Sequence, residues 1–365
     1  MKRRVNFGIF IFILAFAFSA FAQTPKPTAT PVVDDEVIKV DSRLVIIPVS
    51  VTDAAGQPVL GLKAQDFRIL EENKPQQIAQ ISDAEKVPLE IALLFDVSAS
   101  TDSMFQFEQE TAAKFLQEVM RPEDRATIFT IGERAVLIQA RDSSLKSAVS
   151  IKSIQPTKQF TAFYDTVKTA SDYLQKNAPQ GRRKVIVVIS DGEDTNSEGI
   201  RRGFQALYNS LGKNINNLTT KMLADKRDEI KSREQNRVLQ SLQNADAVFY
   251  SINPAGNSYQ LNKISQFGQS NLQRFADQTG GTAFLPKFES ITLKNNLQNS
   301  YNAKFNQEIL TRIFRQLANE LQAQYLVQYY SEGDFPANKY VKLAVSLQNP
   351  QSFKVRARQG YFVKN

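Results

Sequence analysis

The chain has 365 residues with 45 Lys and Arg, 37 Asp and Glu, and neither His nor Cys. Without cysteine there is no disulfide, thiolate chemistry or lipid-bearing cysteine, and without histidine the Ser-His-Asp and zinc hydrolase classes are excluded. The basic excess is spread along the chain, and no basic block indicates nucleic-acid binding.

The first 22 residues have the pattern of a secretory signal. Basic residues at positions 2–4 precede an apolar stretch over 9–18, and Ala20-Phe21-Ala22 fits a cleavage site. We expect the mature protein to begin at Gln23, with a net charge of 42 − 37 = +5, since three of the 45 basic residues lie in the signal. This predicts export to the periplasm or beyond, with no stable membrane span after cleavage. The alternative is a retained anchor, because the stretch approaches the ~20 residues that span a bilayer.

A Pro- and Thr-rich tether over residues 23–39 follows the signal and cannot form a core. Residues 40–88 then carry short alternating patterns that predict strands at Val40–Val51, Phe67–Leu70 and Ile78–Ile81. The sequence therefore predicts a small β unit before position 89.

From residue 89 the character changes, because apolar runs alternate with helical patterns. The sequence predicts strands over 91–95, 126–131, 136–139, 185–190, 247–252 and 283–286, with helices near 103–120 and 162–176. Such alternation predicts an α/β fold with a doubly wound, mostly parallel sheet.

The connection between residues 196 and 245 is far longer than the ~10–12 residues a crossover needs. Apolar residues from Ile200 to Met222 recur at steps of three or four and predict one amphipathic helix, and Ile230 to Leu242 predict a second. We expect a helical hairpin projecting at the edge where the strand at 185–190 ends. Its predicted outer face is basic, with Lys221, Lys226, Arg227, Lys231, Arg233 and Arg237.

A last long helix is predicted around Ile309–Leu321, and strand patterns return at Gln324–Tyr330, Tyr340–Leu347 and Phe353–Phe362. Because the ends of a domain commonly lie close together, we expect residues 40–88 and 324–365 to form one β domain into which the α/β domain, 89–323, is inserted.

Oxygen-bearing side chains follow two of the predicted buried strands. Asp96, Ser98 and Ser100 come directly after one strand, and Asp191 follows another. In an open parallel sheet, ligands bind beyond the carboxyl ends of the strands. Oxygen-only ligands suit Mg²⁺, Mn²⁺ or Ca²⁺, so the sequence predicts one divalent-cation site.

These residues resemble the von Willebrand factor type A domain, whose metal-ion-dependent adhesion site is D-x-S-x-S, a threonine from a second loop and an aspartate from a third. The counterparts here are Asp96, Ser98 and Ser100, then Thr161, then Asp191. The resemblance implies that the hydroxyls bind the cation directly, that the aspartates act largely through water, and that one position is left for a carboxylate of a partner. This chain departs from the pattern in having Phe160 before Thr161.

The flanking stretches resemble those of exported bacterial proteins with a von Willebrand factor A-related domain, a group abundant in Acidobacteria. The stretches that carry this resemblance are 51–53, 61–62, 66–67 and 356–362.

Three functions remain open on the sequence. The leading one is a non-enzymatic binding module that holds an Asp or Glu of a protein partner through Mg²⁺, Mn²⁺ or Ca²⁺. The second is a metal-dependent hydrolase or phosphoryl-transfer enzyme, against which stands the lack of a P-loop glycine run. The third is an envelope scaffold with a vestigial metal site.

Overall fold

The computed structural model describes residues 43–83, 86–98, 102–157, 160–211, 219–254, 263–289, 291, 293–349 and 353–363. The predicted signal, the tether and Ser100 lie outside these residues. The chain divides into two units, 1–40 and 41–365, and only the second contains described residues. None of the helices found in the described ranges combines the length and the apolar character needed to cross a bilayer.

In chain order the elements are β1 (Arg43–Thr52), β2 (Phe67–Glu71), β3 (Lys74–Gln76), β4 (Ile78–Asp83), β5 (Leu89–Asp96), α1 (Asp102–Val119), β6 (Arg125–Ile131), β7 (Ala135–Asp142), α2 (Ser144–Lys152), α3 (Phe163–Asn177), β8 (Arg183–Ile189), α4 (Glu198–Leu211), α5 (Thr220–Asn244), β9 (Ala247–Ile252), α6 (Lys263–Thr279), β10 (Ala283–Phe284), α7 (Asn296–Gln322), β11 (Tyr325–Ser331), β12 (Tyr340–Leu347), β13 (Lys354–Ala357) and β14 (Gly360–Phe362).

Six strands form the central sheet in the order β10-β9-β8-β5-β6-β7. All neighbours are parallel except β7, which runs antiparallel to β6 at the edge. The two middle strands, β5 and β8, are continuous apolar runs because helices cover both faces of the sheet. The predicted doubly wound α/β fold is confirmed.

Alternate residues of the central strands face two separate cores. Leu93 and Phe95 pack with α1 and α7, where Phe115 and Phe314 lie with ring centroids 5.1 Å apart. Ala92 and Leu94 face the opposite side, which α3, α4, α5 and α6 cover. The site at the sheet edge is thus held by a core on each face.

The remaining strands form two antiparallel four-stranded sheets, β13-β1-β11-β4 and β14-β12-β2-β3. They enclose one apolar core that includes Ile47, Val49, Ile69, Val327 and Val341. Strand β1 pairs with β11 and β13 from the other end of the chain. The α/β domain is therefore inserted into a β domain.

The prediction of a projecting helical hairpin is wrong in two respects. The helix expected over Ile200–Met222 ends at Leu211, and Met222 belongs to α5. The second half of α5 is a core helix, because Val238 and Leu242 are buried against the sheet. It therefore serves as the crossover between β8 and β9, and cannot project freely.

Candidate metal centre

The first part of the site is the end of β5, where Asp96 is held on both carboxylate oxygens. Its Oδ1 accepts hydrogen bonds from the Ser98 backbone N–H at 3.0 Å and the Ser98 hydroxyl at 2.6 Å. Its Oδ2 accepts from the hydroxyl of Ser190 at 2.6 Å. This contact exists because β5 and β8 are paired in parallel with Phe95 opposite Ile189, so the two strands end side by side.

The second part is the loop after β8. Asp191 Oδ1 accepts a hydrogen bond from the Glu193 N–H at 3.0 Å, and Gly192 between them has φ +76°. A Cβ on Gly192 would lie 2.4 Å from the carbonyl oxygen of Gly268 on α6. Glycine is required here by both the left-handed backbone and the close packing of α6.

Thr161 lies in a third loop, which is tied to the loop that carries Asp191. Its carbonyl accepts from the N–H groups of Thr195 and Asn196, both at 2.9 Å, and its own N–H donates to the Thr195 hydroxyl at 2.9 Å. The next residue, Ala162, donates to the Gly132 carbonyl at 2.7 Å. Thr161 is buried, whereas Phe160 is 64% exposed and so does not fill the interior of this loop.

Asp194 fixes the loops around the site. It accepts hydrogen bonds from the backbone N–H of Tyr164 at 2.8 Å and from the Ser197 backbone and hydroxyl at 3.0 and 2.5 Å. Asp165 completes the exchange by accepting from the Glu198 N–H at 2.8 Å. These bonds satisfy free N–H groups at the starts of α3 and α4.

Burial raises the pKa of all three aspartates. The pKa of Asp96 is raised chiefly by desolvation. That of Asp191 is raised to about 7, by desolvation and then by the charge of Asp96, and that of Asp194 to about 6 by desolvation. Two close carboxylates without a neighbouring cation disfavour their own ionisation, and a bound divalent ion would reverse this effect.

The donor set fits a hard divalent cation. The described part of the site offers the carboxylates of Asp96 and Asp191 and the hydroxyl of Ser98, all of them oxygen donors, while the Ser190 hydroxyl orients Asp96. No group of three or more acidic side chains able to hold a metal occurs among the described residues, and the predicted ligand set itself contains only two carboxylates.

Of the five residues predicted as ligands, the structure brings Asp96, Ser98 and Asp191 to one sheet edge. Thr161 lies in the loop bonded to residues 195 and 196, and Ser100 falls outside the described residues. Their role as metal ligands stays a prediction.

Sequence reasoning did not find two residues that support the site. The sequence shows Ser190 as the residue before Asp191 but does not indicate that it bonds to Asp96, because that contact depends on how the strands pair. Asn271 on α6 donates to the Gly192 carbonyl at 2.9 Å and accepts from the Tyr164 hydroxyl at 2.8 Å. No local pattern marks it, because its partners are about 80 and 107 residues away.

One known family model matches part of the chain. Residues 91–193 match the family model described as von Willebrand factor type A domain. Together with the sheet order, the match defines the class: an α/β fold of the von Willebrand factor A type, accompanied by a β domain. No curated protein matches the sequence.

Solved structures with a similar arrangement come from several organisms. An aerotolerance-related membrane protein from Bacteroides fragilis is 17% identical, with 60% of this chain and 98% of that chain covered and a TM-score of 0.35. BatB from Bacteroides thetaiotaomicron is 15% identical, with 62% and 99% covered and a TM-score of 0.34.

Proximal thread matrix protein 1 from the mussel byssus, in a structure described as having a zinc-occupied MIDAS motif, is 12% identical with a TM-score of 0.40. The match covers 68% of this chain and 49% of that chain, so this chain spans about half the length of the mussel protein.

Proposed function

We propose that this is an exported, non-enzymatic binding module that recognises an acidic group on a protein partner through one divalent cation. Asp96, Ser98, Ser100, Thr161 and Asp191 hold the cation, which we take to be Mg²⁺, with Mn²⁺ or Ca²⁺ as substitutes.

One observation carries the proposal. The Ser190 hydroxyl donates to Asp96 Oδ2, which ties the end of β8 to the end of β5 and brings Asp191 beside Asp96. A half-buried pair of carboxylates is costly unless a positive charge compensates it. The hydroxyls of Ser98 and Ser190 both bond to Asp96, and hydroxyl and carboxylate oxygens are the ligands that hard cations prefer. The family match over 91–193 supports the same assignment.

The chemistry of this donor set favours binding of a carboxylate over catalysis. Only two of the proposed ligands carry charge, so the cation keeps a net positive charge and forms a strong bond with an incoming Asp or Glu side chain. The chain lacks His and Cys, which removes the commonest general base and the thiolate nucleophile. A partner carboxylate completing the coordination is therefore the function that the site supports best.

Titration calorimetry tests the metal site directly. We expect the mature protein to bind one Mg²⁺ or Mn²⁺, and Asp96→Ala to abolish the binding, because it leaves mainly neutral donors. Asp172→Ala is the matched control, since Asp172 lies on the exposed surface of α3 and, among the described residues, pairs with Lys168 alone. Unchanged cation binding by Asp96→Ala would rule out the assignment.

Partner capture tests the function. Immobilised protein is exposed to envelope extract in Mg²⁺ or in EDTA, and the two captured sets are compared. We expect proteins retained in Mg²⁺ to be lost in EDTA and with Asp96→Ala, and kept with Asp172→Ala. Capture that is equal in all four conditions would contradict a cation-dependent role.

A further inference from the structure

A cavity lies at the end of the central sheet opposite the metal centre. It has a volume of about 640 Å³ and is bounded by the outer face of β1 and β11 and by the first residues of β8 and β9. Arg183 begins β8 and Ile189 ends it, so about 20 Å of strand separates this cleft from the metal centre. We call it the basal cleft.

One wall of the basal cleft is apolar. Along β1, Val45 and Ile47 point into the β-domain core, whereas Leu44 and Ile46 point to the opposite face and stay 45% and 42% exposed. Leu326 on the neighbouring strand continues this wall. Large aliphatic side chains gathered in a concave, solvent-accessible space are typical of a ligand site.

The facing wall carries a buried guanidinium with spare hydrogen-bonding capacity. Arg183 is only 8% exposed, and its Nη1 donates to two neutral acceptors, the Leu321 carbonyl at 2.9 Å and Gln324 Oε1 at 3.0 Å. Its Nε is buried and has no hydrogen-bond partner among the described residues. No carboxylate among the described residues forms an ion pair with the Arg183 guanidinium. Burial lowers the pKa of Arg183 to about 10.

Other lining groups reinforce the preference for an anion. Arg43 and Lys184 also line the cleft, and the one acidic lining residue, Asp246, is already paired with Arg358 at 3.1 Å. Gln243 also lines the cleft, but its side chain is hydrogen-bonded with the Tyr340 hydroxyl, so Arg183 Nε remains the buried polar atom on which the preference rests. Buried polar groups of this kind are normally satisfied by a ligand or by water.

We propose that the basal cleft binds an amphipathic carboxylate, an anion whose apolar chain lies on Leu44, Ile46 and Leu326 and whose head group meets Arg183. A guanidinium donates to a carboxylate through a planar fork, which the free Nε edge of Arg183 can supply. The volume lies within the ~300–1,000 Å³ of small-molecule sites. This site is independent of the divalent cation.

Calorimetry with three probes tests the proposal on the mature protein. Decanoate carries both head and chain, decanol lacks the charge, and acetate lacks the chain. We expect one decanoate per chain, with decanol and acetate each at least about tenfold weaker. Equal affinity for decanoate and decanol would mean that the cleft binds apolar chains without recognising a charged head group. No decanoate binding would mean that the cleft holds only water. Either result overturns the proposal.

Variants locate the binding. Arg183→Gln should weaken decanoate binding about tenfold or more, with little effect on decanol. Because Arg183 is buried and its loss could disturb folding, Ile46→Asp provides a second variant on an exposed face, where a new negative charge repels the head group. Leu145→Ser, a 69% exposed position on α2, is its control. Asp96→Ala should bind decanoate normally, and unchanged binding by Ile46→Asp would refute the location.

Discussion

The hydroxyl of Ser190 lies 2.6 Å from Oδ2 of Asp96, and this one hydrogen bond joins the ends of the two middle strands of the sheet. Ser190 is fully buried, and its Oγ also accepts from the Gly192 N–H at 3.0 Å. The serine therefore links the orientation of the first aspartate to the backbone of the loop that carries the second.

This relationship predicts that Ser190→Ala weakens cation binding. Losing a hydrogen bond to a charged carboxylate costs about 1.5–3 kcal/mol, so we expect roughly tenfold weaker Mg²⁺ or Mn²⁺ affinity by calorimetry and a lower melting temperature. Ser251→Ala is a close control, because Ser251 is also fully buried on the adjacent strand but its hydroxyl has no partner among the described residues. If both variants bind the cation like the parent protein, Ser190 plays no part in orienting Asp96.

The raised pKa of Asp191 predicts a pH-dependent stability. With a pKa of about 7 when folded and about 3.9 when unfolded, Asp191 binds more protons in the folded state between these values. Its contribution to stability is therefore full below pH 4 and is lost as the pH rises through 7. In EDTA at pH 8, Asp191→Asn should melt at least about 2 °C higher than the parent protein.

The same comparison at pH 5 supplies the control, because Asp191 is then largely protonated and the difference should shrink. Mg²⁺ at pH 8 should stabilise the parent protein and leave Asp191→Asn unchanged. A difference in melting temperature that is constant from pH 5 to pH 8 would argue against the raised pKa.

Because one domain is inserted into the other, we expect two fragments of the chain to differ in their ability to fold alone. Residues 89–323 contain the whole six-stranded sheet and should fold alone. Residues 23–88 contain β1 to β4 without their partners β11, β12 and β13, and should not. Amide NMR spectra of the two fragments provide the measurement, and a dispersed spectrum from 23–88 would disprove the split β domain.

The segment from α4 to α5 supports a prediction about the partner. Deleting it is not a usable test, because its buried residues belong to the sheet core. Lys221, Lys226, Arg227 and Arg233 are exposed, so changing all four to Glu alters the charge of this face and leaves the core intact. Because the positive charge of this face attracts an acidic partner over a long range, we expect weaker capture of that partner with unchanged cation affinity.

The matched control changes Lys114, Lys146, Lys152 and Lys176 to Glu, four exposed lysines on other helices. If both quadruple variants capture the partner as the parent protein does, and do so independently of salt, the segment serves packing alone.

The parts of the fold that the sequence predicts well are those set by local pattern. The apolar runs of β5 and β8 identify buried strands, and the polar residues after them identify the site edge. The sequence does not predict helix α6, because Gly268 and many Ser, Asn and Gln residues weaken its helical pattern of apolar residues. The reason for Gly268 is tertiary: a Cβ there would lie 2.6 Å from the Asp191 carbonyl.

Features that depend on distant pairings could not be read from the sequence. Ser190 acts through the register of β5 and β8, and the basal cleft needs the outer face of β1 to oppose the start of β8, some 140 residues later. The long connection after Asp194 was recognised, but its division into α4 and a core-forming α5 depends on which apolar residues the sheet face can bury.

The position of β1 also has a mechanical consequence. Residues 43–49 pair with β11 and residues 49–52 with β13, so the strand is held along its whole length by neighbours from the far end of the chain. A force that pulls Arg43 along the axis of β1 is perpendicular to the hydrogen bonds that join β1 to its neighbouring strands. Such a force loads all of those hydrogen bonds together in shear. Tension between the N-terminal side and a partner bound at the metal edge would therefore not separate β1 one hydrogen bond at a time.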